Sequence, residues 1–313
     1  MDEILKKEFM TKTIVVWCGA LICCILWGSA FPCIKIGYAL MNIPSSDTAA
    51  QILYAGYRFT LAGIMAILIG SIAHKKFLHP SKKSIKKIFV LSMFQTVIQY
   101  LFFYIGLAHT DGTKASIITG MNVFVAIIVS SLIFHLEKIS AKKVLGCIVG
   151  FIGVLLVNIT GGKLDMSISL NGEGFIFLST VSYAFSSVML KKYSATENTV
   201  MLSGWQFLAG GIIMSISGLI MGGELSTFNS DGILMLLYLA FVSAVAYSLW
   251  SLLLSYNNVS RVAVFGFMNP VFGFLLSAVL LNELKSISFY AIIALLCVCI
   301  GIWIVNSGNE KNA

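Results

Sequence analysis

Charged residues are scarce in this chain. They make up 11% of its 313 residues, whereas 58% of the residues are hydrophobic. A water-soluble globule needs more polar side chains than this to cover its surface. The composition therefore excludes an ordinary soluble protein and predicts an integral membrane protein. A β-barrel is excluded too, because its strands alternate apolar and polar residues, whereas the apolar segments here are apolar on every side.

Clusters of metal-binding or nucleophilic residues are also missing. The seven cysteines lie inside apolar segments, not in loops where a disulfide or zinc site is expected, and we interpret them as small packing residues. The four histidines lie at segment ends, and there is no HExxH pattern. These absences argue against a membrane-embedded enzyme and predict neither a cofactor nor a metal site. The cysteines are Cys18, Cys23, Cys24, Cys33, Cys147, Cys297 and Cys299, and the histidines are His74, His79, His109 and His135.

Carboxylates are absent from the centres of the third and later apolar segments. Asp111, Glu137, Glu173 and Glu283 all lie at segment ends. Proton-coupled carriers usually bury an ionisable residue within the membrane. The absence favours facilitated transport, or coupling through a histidine or an end carboxylate, and the sequence does not decide between them.

Long apolar runs dominate what is present. Each is about 17 to 23 residues long, which suits a helix crossing a hydrocarbon core about 30 Å thick. Short connections join them, so no soluble domain is expected. The first run follows three lysines, but it is too long for a secretory signal and lacks a small-residue cleavage pattern, so we expect a retained helix. The ten predicted spans are 14–36, 52–73, 88–108, 114–135, 142–159, 172–190, 200–221, 232–255, 261–282 and 287–306.

One sequence pattern occurs twice. The stretch 54–63, YAGYRFTLAG, returns at 202–211 as LSGWQFLAGG, each time in the second span of its half. Two related halves with an odd number of crossings each must have opposite orientations in the membrane. The predicted fold is therefore all-α, with ten transmembrane helices in two inverted five-helix repeats, an arrangement typical of secondary transporters. The predicted units are a cytoplasmic segment 1–13, repeats 14–159 and 172–306, and a cytoplasmic tail 307–313.

Basic residues predict the orientation. A net charge of +8 is compatible with a nucleic-acid partner, but these residues are confined to alternate connections, which indicates membrane orientation instead. The positive-inside rule places both termini in the cytoplasm, with the lysine-rich segment 75–87 on the same side. Only five basic residues then fall on the outer side, namely Lys35, Arg58, Lys114, Lys163 and Lys285.

Several motifs resemble the EamA-type branch of the drug/metabolite transporter superfamily. They are Trp27-Gly28-Ser29, Arg58 early in span two, Asn269-Pro270, the Glu137 and Glu283 that end spans four and nine, and the glycines Gly146, Gly150 and Gly153 that follow the first of these glutamates. The resemblance covers essentially the whole chain. It implies ten helices and the movement of small metabolites, with exporters of aromatic or other apolar amino acids among the members. Span nine has Asn269-Pro270, whereas span four has no proline, so a proline-induced helix break is expected in the second half alone.

Repeat-related polar and aromatic residues are the candidates for substrate binding. Such sites lie near the bilayer midplane, where equivalent helices meet. Aromatic rings can stack on an apolar solute, and hydroxyl or amide groups can replace its lost hydrogen bonds to water. The alternative is that these groups only join helices. The candidates are Trp27 with Tyr183, Tyr100 with Tyr247, Asn122 with Asn269, and the polar stripe Gln95 and Gln99.

Two basic residues and two prolines have candidate roles of other kinds. Lys35 and Arg58 lie inside apolar sequence toward the outer ends of their spans, where they either line an outer vestibule for anions or extend toward the membrane surface. Pro32 and Pro270 can kink their helices and act as hinges, or serve packing alone.

The sequence thus predicts a multi-pass transporter of the cytoplasmic membrane that works by alternating access. Export of amino acids or related apolar or aromatic solutes is favoured. The alternative is uptake of a carboxylated or phosphorylated solute through Lys35, Arg58 and Lys114. The expected partners are a small-molecule substrate and lipid, not nucleic acid. Substrate identity, direction, coupling ion and the choice between monomer and homodimer stay open.

Overall fold

The computed structural model describes residues 2–110, 112–159, 169–225, 229–280 and 289–307, and within these ranges the chain is helical without a strand. The α-helices are α1 (Asp2–Thr11), α2 (Thr13–Leu40), α3 (Thr48–Ala73), α4 (Lys82–Leu91), α5 (Gln99–Leu107), α6 (Gly112–Gly120), α7 (Asn122–Ile128), α8 (Ala141–Ile159), α9 (Phe175–Tyr193), α10 (Thr199–Ile220), α11 (Ser230–Tyr256), α12 (Val259–Ala263), α13 (Met268–Leu280) and α14 (Phe289–Ser307). Short π-helical stretches at Ser92–Ile98, Val129–Ile133 and Leu170–Gly174 and a 3₁₀ turn at Val264–Phe267 continue some of these helices.

Each of the ten predicted spans coincides with a helix or with consecutive helices. Seven helical segments of the described chain are long and apolar enough to cross a membrane. Shorter apolar helices, Ile117–Ile133 and Ile292–Ser307, occupy the fourth and tenth predicted spans, and α8 occupies the fifth. The prediction of an all-helical membrane fold with ten helices is confirmed.

Polar side chains fix where several spans begin. Asp47 accepts a hydrogen bond from the backbone N–H of Ala50 (2.8 Å) at the start of α3. Asn198 does the same for Met201 (2.9 Å) at the start of α10, and Asn229 for Gly232 (2.6 Å) at the start of α11. These caps satisfy backbone donors that have no partner within the helix. Helix ends are thus set by short polar residues in the connections.

The pair α3 and α10 shows the inverted repeat directly. These helices carry the duplicated sequence, and glycines let their backbones approach closely. Gly56 packs on the backbone of Ser215, and its repeat equivalent Gly204 packs on Ile67. Likewise Gly63 packs on the backbone of Leu208, and its equivalent Gly211 packs on Thr60. Each of these contacts therefore has a counterpart in which the helix that carries the glycine and the helix on which it packs are exchanged. A twofold axis between α3 and α10 requires this relation.

A second repeat-related pair is formed by α8 and α14. The glycines that follow Glu137 in span five contact α14: Gly146 and Gly153 pack against Val305 and Val298, and Gly301 of α14 packs against Gly150. Small residues allow this close approach within the membrane. These glycines are therefore covered within the chain.

Both halves carry a helix interruption, and only the one in the second half is followed closely by a proline. Span nine leaves α-helical geometry at the 3₁₀ turn before Asn269-Pro270, but span four is also interrupted, at Met121 between α6 and α7. No proline is needed there, and the interruptions lie at similar positions in the two repeats. Pro32, in contrast, lies within the continuous helix α2.

Candidate functional site

Aromatic residues from both repeats meet in the middle of the bundle. The hydroxyls of Tyr100 and Tyr247, which are repeat equivalents, lie 3.0 Å apart. The Trp27 ring packs edge-on against the rings of Tyr247 and Trp250, each with a centroid separation of 5.0 Å. The structure thus brings together three of the predicted substrate-binding residues. Their rings and hydroxyls can contact an apolar solute and also hydrogen-bond to it.

Arg58 lies beside this aromatic group and is enclosed. Only 4% of its surface is exposed, and its guanidinium carbon lies 4.3 Å from the ring centroid of Phe59 and 5.8 Å from that of Tyr100. No carboxylate of the described residues forms an ion pair with it, and its Nε has no hydrogen-bond acceptor there. The sequence predicted a vestibule residue, whereas the structure surrounds this cation with protein.

Tyrosines not singled out in the sequence analysis complete this enclosure. Tyr38, Tyr54 and Tyr104 are close enough to Arg58 to interact with it electrostatically. The rings of Tyr38 and Tyr54 lie 5.4 Å apart, and both hydroxyls are buried. The Tyr54 hydroxyl has no hydrogen-bond partner within the described ranges. The sequence does indicate one of these neighbours, because Tyr54 precedes Arg58 by one helical turn and so lies on the same face of the helix. Tyr38 comes from another span and carries no such signal. We call Arg58, Tyr38 and Tyr54 the arginine cluster.

The predicted polar stripe of span three lies on irregular helix. Gln95 is in the π-helical stretch Ser92–Ile98 and is 3% exposed, and Gln99 follows at the start of α5. The side-chain oxygens of both are buried, and no described residue donates a hydrogen bond to either. The neighbouring Thr96, in contrast, has a partner, because its hydroxyl donates a hydrogen bond to Gln206 Oε1 (2.8 Å). π-helical turns inside α-helices are frequent at functional sites.

A small cavity is lined in part by Trp250. Two of the predicted binding residues, Asn122 and Tyr183, also line it, together with Ser187. It is large enough for about one water molecule. Asn269 is not among the lining residues, and its Oδ1 is buried without a donor from the part of the chain that the structure describes. The remaining lining residues are Ala126, Leu254, Val259, Ala263 and Gly266.

Glu137 joins the two repeats at the end of the bundle predicted to be cytoplasmic. It accepts hydrogen bonds from the backbone N–H of Ser260 (3.0 Å) and from its hydroxyl (2.5 Å). Lys143 forms an ion pair with it at 2.7 Å, and the side chains of Glu137 and Lys143 are 3% and 8% exposed. Sequence analysis identified Glu137 only as a family motif and Lys143 only as an orientation charge. We call these three residues the glutamate latch.

A second ion pair on the same side involves Glu197. Its carboxylate lies 2.8 Å from Lys87 Nζ and accepts a hydrogen bond from Ser84 (2.7 Å). Burial alone raises the pKa of this carboxyl, but the hydrogen bonds from Lys87 and Ser84 outweigh it and lower the pKa. The pair connects the start of span three to the loop before α10.

The opposite end of the bundle is joined by other groups. Thr110 donates to Glu173 Oε1 (2.6 Å), and Asn229 donates to the backbone oxygen of Leu40 (2.8 Å). Each contact connects the first repeat to the second. Both ends of the central aromatic region therefore carry hydrogen bonds between the repeats.

The remaining predicted site residues lie apart from this centre or cannot be placed. Lys35 is on an exposed face of α2, four residues after the exposed Phe31 and four before the exposed Ala39. Pro270 is partly buried in α13. The side chain of Lys114 lies outside the described residues, as do Glu283 and Lys285.

Comparison with known proteins identifies the family. The model of the EamA-like transporter family matches residues 15–159 and 170–307. A crystal structure that is 14% identical superposes with a TM-score of 0.76 over 95% of this chain and 98% of its own, which supports the fold alone.

Curated relatives are distant in sequence but most cover much of the chain. A protein of Escherichia coli K12 named "Probable amino-acid metabolite efflux pump" is 28% identical over 84% of this chain and 86% of its own. An uncharacterized transporter of Archaeoglobus fulgidus is 29% identical over 83% of this chain and 86% of its own. A WAT1-related chloroplastic protein of Arabidopsis thaliana is 24% identical over 66% of this chain, which spans about half (51%) of that relative's length. With the family model matching both halves of a ten-helix membrane fold, the chain belongs to the EamA-like transporter family and is a multi-pass membrane transporter.

Proposed function

We propose that this transporter exports amino acids or related apolar and aromatic solutes by alternating access. The observation that carries the proposal is the meeting of repeat-related Tyr100 and Tyr247 at 3.0 Å inside the bundle, next to Trp27. An inverted repeat places its substrate site where equivalent helices converge. The relative named as an amino-acid metabolite efflux pump supports both the substrate class and the direction.

The contacts at the two ends suggest how access alternates. The glutamate latch holds the repeats together on one side, and the Thr110–Glu173 bond joins them on the other. If the halves rock about the α3–α10 axis, opening one end requires its set of contacts to separate while the other set stays intact. Polar contacts suit this role because water replaces them when they open.

We further propose that both termini are cytoplasmic and that 14–159 and 172–306 are the two repeats. The two separate matches to the family model, at 15–159 and 170–307, support these limits. The basic connections support the orientation and the cytoplasmic membrane as the location.

The alternative of uptake through three outer cations has less support. It requires Lys35 and Arg58 to line one funnel, but Lys35 is exposed and Arg58 is enclosed. The Arg58 environment still favours an anionic group, which an amino acid also carries.

Efflux from proteoliposomes tests the proposal. Purified protein is reconstituted, the vesicles are loaded with a panel of amino acids and small organic ions, and loss of each solute is followed. We expect efflux of apolar or aromatic amino acids, and we expect Trp27→Ala, Tyr183→Ala and Asn269→Ala each to slow efflux about tenfold or change selectivity, since each removes a contact worth about 1.4 kcal/mol.

Trp303→Ala is the matched control for loss of a large aromatic side chain. Trp303 is 62% exposed on α14 and so belongs to the surface of the bundle. Its variant is expected to transport like the wild type. If flux and selectivity stay unchanged in all three site variants, the site assignment is wrong.

A further inference from the structure

The arginine cluster contains hydrogen-bond donors that lack acceptors. Arg58 Nε and the Tyr54 hydroxyl are buried, and neither has a partner among the described residues. The Tyr38 hydroxyl is buried beside them, within reach of Tyr104. Tyr54 is 1% exposed and Arg58 4%. Buried polar groups are normally bonded, so several unsatisfied donors around one cation indicate a missing acceptor.

Burying the positive charge of Arg58 without an anionic partner costs free energy. A guanidinium stays protonated in proteins and within a membrane is normally paired. Here the aromatic faces of Phe59 and Tyr100 lie beside it and offer a cation–π attraction of about 0.5 to 2 kcal/mol, and the tyrosines around it are neutral. Removing an unpaired charge from water costs several kcal/mol. The rings alone do not offset that cost, whereas an anion would.

The surroundings favour a carboxylate over a phosphate. One guanidinium provides one positive charge and a planar pair of donors, which matches the two oxygens of a carboxylate. A phosphate with nearly two negative charges needs further cations, and the groups around Arg58 are tyrosines. The tyrosine hydroxyls can donate to the same two oxygens.

The repeat supplies only one such site. The equivalent of Arg58 in the second repeat is Gln206, which is neutral. Its Oε1 accepts a hydrogen bond from Thr96, and its Nε2 is buried without a partner among the described residues. The symmetry of the fold is thus broken at the position where a charge would bind. A solute bound here has its carboxylate directed toward α3 and its remaining atoms available to the aromatic residues near Tyr100.

From these observations we infer that Arg58, with the hydroxyls of Tyr38 and Tyr54, binds the carboxylate of the carried solute. This inference rests on the proposed function and narrows its substrates to monocarboxylates, amino acids among them. A solute whose carboxylate is replaced by a carboxamide binds at least tenfold more weakly.

The test measures binding without transport. Thermal unfolding of the full-length protein in detergent is followed with increasing phenylacetate, with phenylacetamide, and with chloride at constant ionic strength. We expect phenylacetate to raise the melting temperature at concentrations at least tenfold lower than phenylacetamide. Arg58→Gln is expected to abolish this preference, and Tyr54→Phe to weaken phenylacetate binding about tenfold, as for one hydrogen bond to a charged group.

Other variants keep the test decisive. Lys86→Gln removes a positive charge from an exposed position of α4 and is expected to retain the preference. Arg58→Lys keeps the charge without the planar donor pair and is expected to show an intermediate preference, which is informative if Arg58→Gln does not fold.

Three outcomes would overturn the inference: no preference in the wild type, a preference that persists without Arg58, or equal stabilisation by chloride. A different result would refute the proposed function. Arg58-dependent phenylacetate binding without amino-acid efflux would refute the proposed transport but keep the carboxylate site. Efflux that does not distinguish amino acids from their amides would refute the carboxylate site but keep the proposed transport.

Discussion

Single residues hold the two repeats together, and Glu137 is the clearest case. Its carboxylate is bonded to Ser260 of the second repeat and paired with Lys143. Glu137→Gln removes the negative charge and leaves the Lys143 ammonium buried without a counterion. Breaking a buried pair in this way destabilises a protein by about 3 to 5 kcal/mol. We expect a clearly lower melting temperature in detergent.

A matched control and a rescue variant show whether the lower melting temperature comes from the buried ion pair. Glu8→Gln removes the same charge from an exposed position of α1 and should change the melting temperature little. The double variant Glu137→Gln with Lys143→Met removes both charges and should recover much of the loss. Equal effects of Glu137→Gln and Glu8→Gln would show that the latch does not stabilise the fold.

At the scale of the helix, glycines decide how closely α3 and α10 pack. A Cβ added at Gly63 would collide with the backbone of Leu208, and backbone cannot move aside as a flexible side chain can. Gly63→Ala is therefore expected to separate the helices and destabilise the protein by about 1 to 3 kcal/mol, as overpacking does. The melting temperature in detergent measures this, and efflux should fall with it because α3 carries Arg58.

Gly174 offers the comparison for an alanine substitution in a helical segment. A Cβ there would meet its nearest neighbour, Leu170, at 3.6 Å, which is an ordinary contact distance. Gly174→Ala should be tolerated or slightly stabilising. If Gly63→Ala were tolerated equally, close approach of the two backbones would not be a requirement of the fold.

At the scale of the whole molecule, the positive-inside rule places the connection before α3 on the outer side and the connection after it in the cytoplasm. Ser46 is exposed before α3, and Lys83 is exposed after it. With the exposed Cys18 and Cys299 replaced by alanine, we expect Ser46→Cys to react with a membrane-impermeant maleimide in intact cells. Lys83→Cys should react only after permeabilisation. The reversed pattern would contradict the orientation predicted from the basic connections.

The amino-acid sequence by itself determined the ten spans, the duplication, and the equivalence of Tyr100 and Tyr247 in the two repeats. These follow from local hydrophobicity and from comparing the chain with itself, neither of which needs distances between spans.

Only the tertiary structure decided what surrounds each polar group. Arg58 and Lys35 have similar sequence settings, yet Arg58 is enclosed by aromatic residues, several of them from other spans, and Lys35 is exposed. Glu137 finds its partner at Ser260, and span four is interrupted without a proline. Burial, counterions and helix geometry at these positions depend on contacts between residues far apart in sequence, which no local pattern encodes.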